Sequence, residues 1–346
     1  MARTVPAARH GLAGQAPTLA DVAERAGVSR QTVSNAVNNP ELLRAATLQR
    51  VLSVIEDLGY SPNRAARNLR TRLSHQIGLC FAPAQEGTAN ATMDRFVHSL
   101  VDTSREAGYH VLLFAAAEDP ASSYDELLRS NAVDGFVVTD TFAGSPETGW
   151  LAARRAPFVA FGRPWSQPDA THPWVDVDGA AGVALATAHL VERGHSRIAW
   201  IGFHKGSFIG EDRRSGWCRV LAESGLPSTG LAARVDDTVA AGREAAAALL
   251  DQASPSAFVC ASDTLALGVL HALADRGLRA GADISVVGFD DSQAAQLIPG
   301  GLTSVRQPLE QVAVEVVAAL QGLLAIPRAP SSGVLLEPSL VVRGSS

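Results

Sequence analysis

Short runs of continuous apolar residues set the terms for most of this 346-residue chain. From Gln76 onward, residues 77–81, 109–114, 133–138 and 157–162 alternate with segments patterned as helices, one at about 93–107 closed by Gly108 and one through Leu127 and Leu128. The cycle begins again near residue 176. Helix 180–193 ends at Gly194 and leads to strand 198–202; helix 215–223 ends at Gly225. A helix over 240–250 precedes strand 257–260, and helix 264–276 ends at Gly277 before strand 284–289. A strand apolar at every position must be covered on both faces, and intervening helices supply that cover, so the pattern predicts parallel sheets in an α/β architecture. There are too many strands for one small sheet, and the restart points to two similar lobes. The crevice between them, at the carboxyl ends of the strands, is where such folds bind ligands.

The first seventy residues follow another rule. The stretch TLADVAERAGVSRQTVSNAVNN, 18–39, reads as two short helices about a tight turn. Ala23, Ala26, Val28 and Val33 are small and apolar at spacings that allow a close crossing. Gly27 stands where the first helix must stop, and Ser29 can cap the second. Val33 and Val37, four apart, are expected inside, which leaves Arg30, Gln31, Ser34, Asn35 and Asn38 on the outer face. An arginine beside a glutamine at a helix N-terminus suits the reading of base edges in a major groove; a helical hairpin with an ordinary polar face would look the same. A third helix over 45–58 carries Leu48, Leu52 and Ile55 as a stripe to pack on the pair and ends at Gly59. Next comes YSPNRAARNLRTR, 60–72, in which Ser61 and Pro62 fit a helix start. It is strongly basic, poor in apolar residues and marginal as a helix alone; DNA and a second copy of the chain would hold it.

Charge divides the same way. Residues 1–73 hold ten Arg against five Asp or Glu, +5, leaving −11 for the rest of a chain whose total is −6. A basic head on an acidic body suits contact with phosphates at one end. No run of eighteen apolar residues offers a membrane span. Residues 1–16 read as a disordered lead-in without a hydrophobic signal core, which argues for a cytoplasmic, nucleoid-associated protein. Cys80, Cys218 and Cys260 lie far apart and read as plain thiols in a reducing compartment. There is no G-x-G-x-x-G, Walker A run, G-x-S-x-G or HExxH, so no catalytic residue, metal or cofactor is expected. An enzyme fused to a DNA-binding head is the remote alternative.

Three segments at strand ends could carry ligand chemistry. Ser262-Asp263 places a carboxylate able to accept from two neighbouring hydroxyls, or a plain helix cap. Glu211 to Trp217 offers guanidinium groups for hydroxyls or a carboxylate, or a solvated charge cluster. Gly288-Phe289-Asp290-Asp291-Ser292 ends another buried strand with two acids. Each is weak alone; together they share one lobe.

TLADVAERAGVSRQTVSNAVNN followed by GYSPNRAARNL resembles the head of the lac repressor family of bacterial transcription regulators, and matching motifs continue to about residue 310. The resemblance implies a small all-α helix-turn-helix head plus an α/β periplasmic-binding-protein-like core of two lobes with parallel sheets. Its boundaries would be a lead-in 1–16, a head 17–60, a hinge 61–73 and a core 74–346. The first lobe would span about 76–175 plus a return near 304–326, and the second about 176–303 plus 327–346. It implies double-stranded operator DNA, read as a near-palindrome by a homodimer, with Thr18, Ser29, Arg30, Gln31, Thr32, Ser34, Asn35 and Asn38 at the head. Asn63, Arg64 and Arg67 would lie by the backbone and Leu69 would wedge into the minor groove. Asn35 stands where the family's namesake has arginine, which implies a different operator. Carried over by position, Arg213, Asp263 and Asp290 are effector ligands, with Arg163, Trp174 and Asp178 as additions; a core-filling role for Trp174 is the equal alternative. The effector is expected to be a carbohydrate that releases DNA, a purine or nucleoside co-repressor being the alternative. Residues 235–238, Val-Asp-Asp-Thr, lack the aromatic ring that many members place there, a departure from lactose-type and purine-type pockets. Without terminal leucine heptads, a dimer rather than a tetramer is implied.

Overall fold

The computed structural model describes residues 17–60, 73–81, 91–115, 120–139, 141, 146–165, 167, 169–326 and 333–346. Two compact units divide the chain between Leu73 and Ser74. The lead-in 1–16 and positions 61–72, with Asn63, Arg64, Arg67 and Leu69, lie outside the described residues.

In the first unit, α1 (Leu19–Ala26) and α2 (Arg30–Asn38) are followed by a 3-10 turn, Pro40–Leu42, and α3 (Ala45–Leu58). Thr18 and Asp21 close a reciprocal cap at the start of α1: Thr18 N donates to Asp21 Oδ2 at 2.7 Å and Asp21 N to Thr18 Oγ1 at 3.4 Å. Gly27 ends α1 at φ 63°, a left-handed conformation that costs glycine least. Val22, Ala23, Ala26, Val33, Ala36 and Val51 form the core, with Val28 packed against it. Two expected core positions are corrected. Val37 is 36 % exposed and Leu52 41 %, while Ala36 and Val51 are buried. In each helix a neighbour on the 3.6-residue period lies nearer the crossing point, and small Ala36 lets the backbones approach.

Among the described residues, the second unit contains two six-stranded sheets. In order across the sheet, the first has strands 333–336, 174–177, 158–161, 135–138, 76–80 and 110–114, and the second 339–341, 303–306, 285–289, 257–260, 198–203 and 232–235. The first comprises β1 (Gln76–Cys80), β2 (His110–Phe114), β3 (Gly135–Val138), β4 (Phe158–Phe161), β5 (Trp174–Val177) and β11 (Gly333–Leu336), all parallel. Around it lie α4 (Ala91–Glu106), α5 (Pro120–Arg129), α6 (Pro146–Ala153) and α12 (Leu309–Ala325). The second comprises β6 (Ile198–Phe203), β7 (Ala232–Val235), β8 (Ala257–Cys260), β9 (Ser285–Phe289), β10 (Thr303–Arg306) and β12 (Ser339–Val341), the last antiparallel to β10. Its helices are α7 (Gly179–Glu192), α8 (Phe208–Glu223), α9 (Val239–Ala253), α10 (Asp263–Ala274) and α11 (Gln293–Leu297).

Both sheets share one strand order over their first five strands, with the reversal beside β1 and beside β6, so each lobe has a switch point facing the crevice. The lobe boundaries read from the sequence need correction. The return to the first lobe starts at Leu309, because Thr303–Arg306 pairs in the second sheet beside β9. Residues 333–336 pair with β5 in the first sheet, not the second. Pairing across the sheet, invisible in local pattern, decides both. Among the described residues the chain therefore crosses between lobes three times: after β5, after β10 and between β11 and β12. Helix α8 also starts seven residues before the expected Ser215, capped by Ser207, whose Oγ accepts from Gly210 N at 3.2 Å.

Candidate functional sites

The first unit presents one face of α2. Val33 and Ala36 point inward, so Gln31, Asn35 and Asn38 turn outward and Arg30 flanks them at the helix start. Gln31 Nε2 donates to Asn35 Oδ1 at 2.9 Å, which fixes two amide groups side by side. Asn38 Nδ2 donates to Ser34 O at 2.8 Å. Ser29 Oγ caps Thr32 N at 3.1 Å and also meets Thr32 Oγ1 at 2.9 Å. Thr18 Oγ1 donates to Asp21 Oδ2 at 2.8 Å. Thus Thr18, Ser29 and Thr32 support the helix ends, whereas Arg30, Gln31 and Asn35 form the outward polar face. The charge balance of this unit also needs division. Arg25, Arg30, Arg44 and Arg50 stand against Asp21, Glu24, Glu41, Glu56 and Asp57, so 17–60 is −1. The basic excess belongs to the flanks, in Arg3, Arg9, Arg64, Arg67, Arg70 and Arg72.

The second site is the crevice of the second unit, with a cavity of about 140 Å³ at the carboxyl ends of the strands. From the first lobe come Thr139 and Thr141, Phe161 to Arg163, Trp165 and Asp176; from the second, Ile209, Asp212, Arg213 and Phe289, with Gln307 of a crossing segment. Arg163 spans the lobes. Its Nε donates to Asp176 Oδ2 at 2.7 Å and an Nη to Asp212 Oδ2 at 2.8 Å, and its guanidinium lies 4.3 Å from the Trp165 ring centre. Burial works against the Arg163 cation, but Asp176 and Asp212 more than restore it, and its pKa is raised. Burial pushes the Asp212 carboxyl up, with Arg163 pulling against it. Trp165 stacks on Phe208 of the opposite lobe, ring centres 6.0 Å apart.

Arg213 is held on three sides. One Nη donates to Ala261 O at 2.5 Å, the guanidinium sits 3.7 Å over the Phe289 ring, and the other Nη is 3.9 Å from Asp290 Oδ1. Asp290 accepts from Gln307 Nε2 at 2.7 Å, and burial pushes its carboxyl up to about 7. Asp290 and the following Asp291 have φ 107° and 47°, strained for side-chain-bearing residues. Asp291 anchors them: it accepts from Arg306 at 2.6 Å and from Arg343 at 2.5 Å.

Arg163 and Arg213, both anticipated, line the cavity, and Asp290 sits against Arg213. The other expected effector residues are placed elsewhere. Asp263 is 3 % exposed and turned into the second lobe, where it accepts from Ser304 Oγ at 2.6 Å and Ser292 N at 2.7 Å. Burial pushes its carboxyl up to about 6. Its carboxylate crosses so close over β9 that a Cβ on Gly288 would lie 2.2 Å from Oδ1. Asp178 caps α7 by accepting from Ala181 N at 2.8 Å. Trp174 lies on β5 against Gly333, whose added Cβ would meet the indole at 1.9 Å; it packs the sheet. Sequence reasoning missed Asp176, Asp212, Trp165 and Gln307. Asp176 is visible as a carboxylate interrupting an apolar strand, and Trp165 as an aromatic just past a strand end. Asp212 is hidden by the misplaced start of α8, and Gln307 by the unread strand before it. Among the described residues no cluster of His, Cys, Asp or Glu could hold a metal ion, and no helix is long and apolar enough to cross a membrane.

Comparison with known proteins places both units. Residues 18–63 match the family model of bacterial regulatory proteins, lacI family, and residues 187–346 that of a periplasmic binding protein-like domain. The HTH-type transcriptional regulator CelR of Thermobifida fusca is 32 % identical over 338 residues, covering 95 % of this chain and 98 % of that protein. Among solved structures, a transcriptional regulator CelR–cellobiose complex superposes with TM-score 0.72 at 30 % identity, covering 95 % of this chain and all of the other. The lac repressor dimer bound to operator and the anti-inducer ONPF gives TM-score 0.80 at 28 % identity, covering 96 % and 99 %. With a capped helix-turn-helix whose outward face carries Arg30, Gln31 and Asn35, and a two-lobed core matching along its length, the chain belongs to the lacI family of bacterial transcription regulators and is a DNA-binding regulator.

Proposed function

We propose that this protein is a homodimeric repressor that leaves a near-palindromic operator when a small sugar-like effector enters the crevice of its core. The observation that carries the DNA half is the outward face of α2, where Arg30 stands at the helix start and the Gln31–Asn35 amides are already paired. Arg30 suits the two acceptors of a guanine and Gln31 an adenine edge, each good pair giving about 1–3 kcal/mol of discrimination. Ser34 and Asn38 flank that face, while Thr18, Ser29 and Thr32, as helix-end groups, contact phosphates. Asn63, Arg64 and Arg67 supply backbone contacts and Leu69 the minor-groove wedge, as the family resemblance implies.

The effector half rests on the crevice. Arg163, Asp176, Asp212 and Gln307 offer alternating donors and acceptors to hydroxyls, and Phe161, Trp165 and Phe289 offer flat apolar faces to a sugar ring. Arg213 and Asp290 lie beneath them, and Asp263 acts by holding the β9 end in place. A ligand that bridges both lobes changes their closure, and it can shift DNA affinity only by its difference in affinity for the two states.

The test selects an operator from random duplexes with the full chain, then measures binding and its release by sugars, nucleosides and purines. Arg30→Ala should lose about tenfold or more on the selected site and relax preference at one base pair per half-site. Equal loss on selected and random DNA would refute the reading face. Tighter rather than weaker binding with a purine would replace induction with co-repression.

A further inference from the structure

Building on the effector reading, we infer that the crevice takes an uncharged or cationic hydroxyl-rich ligand and rejects phosphorylated or carboxylated ones, because the guanidinium that spans its lobes is already held by two carboxylates of this chain. Arg163 is shared between Asp176 at 2.7 Å and Asp212 at 2.8 Å, all three side chains being at most 21 % exposed. Arg213 is 10 % exposed, committed to Ala261 O and the Phe289 ring, and has Asp290 at 3.9 Å. Asp237 adds a fourth carboxylate to the field at Arg213, tied to Ser262 Oγ at 2.5 Å. Two close carboxylates thus hold Arg163, while the carboxyls of Asp290 and Asp237, both pushed up by burial, stand beside Arg213. The nearby arginines of the β9 end are engaged as well, Arg306 and Arg343 both on Asp291.

A second observation points to the ligand's chemistry. The Nε of Arg213 and the Nε1 of Trp165, both on residues of the cavity wall, are buried and have no hydrogen-bond partner among the described residues. Buried donors without acceptors are costly, and a ligand oxygen would satisfy them; the carboxylates alongside favour a neutral one. The same ligand's hydroxyl hydrogens find Asp176 and Asp212. A phosphate or carboxylate would instead meet those oxygens at low effective dielectric, where like charges repel strongly, while an ammonium group would be drawn to them.

The experiment uses the full chain and inorganic phosphate as the anionic probe, read by thermal shift and calorimetry. Millimolar phosphate should leave the wild-type melting temperature unmoved. Asp176→Asn with Asp212→Asn keeps the hydrogen bonds to Arg163 but removes two charges, and should bind phosphate at least about tenfold more tightly than wild type. Each single variant, checked for folding by circular dichroism, should show a smaller gain. Phosphate binding by the wild type, or no phosphate response in any folded variant, would overturn the inference. Cellobiose, glucosamine, glucose 6-phosphate and glucuronate are run in parallel. A charged acid binding best would overturn it too, whereas no binding by any sugar would refute the sugar-effector reading and leave the phosphate comparison to judge charge exclusion.

Discussion

The Arg163 bridge is a contact by which the two lobes of the core hold each other through charge. Two carboxylates at 2.7 and 2.8 Å, from β5 of one lobe and α8 of the other, share one guanidinium. A unit charge pair at 4 Å is worth about 4 kcal/mol gross at an effective dielectric of 20. Desolvation and side-chain ordering remove most of that, and removing one partner of a buried pair costs about 3–5 kcal/mol. These groups keep 14–21 % of their side-chain surface, so we discount to about 2–3 kcal/mol for Arg163→Met. At roughly 2–4 °C per kcal/mol, the core transition should fall by about 4–12 °C. Scanning calorimetry of wild type, Arg163→Met, Asp212→Asn and the double variant isolates the pair term, expected at about 1–2 kcal/mol. Asp212→Asn alone should cost less, because the amide still accepts from Arg163 and from Ala180 N. Additive single effects, with coupling below about 0.5 kcal/mol, would refute the claim that charge latches the lobes.

Three further outcomes are expected. Gly288→Ala would drive a methyl to within 2.2 Å of Asp263 Oδ1 and 3.0 Å of Leu302; destabilisation of about 1–3 kcal/mol is expected by calorimetry, and an unchanged melting temperature would show that Asp263 does not lie over β9. Asp290 has a folded pKa of about 7, above its ordinary 3.8, so the folded state holds its proton more tightly and stability from this group falls as pH rises through that interval. His172, His189 and His195, pushed down by burial, act in the opposite sense, so the diagnostic is Asp290→Asn measured against wild type. The variant should gain about 1–3 kcal/mol on wild type between pH 5 and pH 8, and a relative loss would refute the assignment. Arg64→Gln with Arg67→Gln should flatten the slope of log affinity for DNA against log salt by about 0.9 for each phosphate no longer neutralised, and an unchanged slope would take both residues off the backbone.

Legibility differed with the range of the signal. The cap at Ser29, the stop at Gly27 and the alternation of apolar strands with helices are local, set by dihedral preference and by the period of each element. The folded chain keeps all of them. Val37 and Leu52 failed because amphipathic spacing names a face about a third of a turn wide, and the exact crossing point chooses within it. In the core, motif position led to Asp263, a residue that the fold turns away from the cavity. It failed to show Asp176, Asp212 and Gln307, which come together from a strand, a helix and a crossing segment.

By itself, then, the order of residues determined most of the element types, the division into a helical head and a two-lobed α/β core, and the outward polar face of α2, since hydrogen bonds, caps and apolar period within a few residues set each. Tertiary structure alone decided which strands share a sheet, so that 303–306 joined the second and 333–336 the first. It also decided which charges meet: Arg163 reaches Asp212 across 49 positions of sequence at 2.8 Å. Such pairings depend on the burial and packing of the whole core, and no local pattern encodes a distance between two lobes.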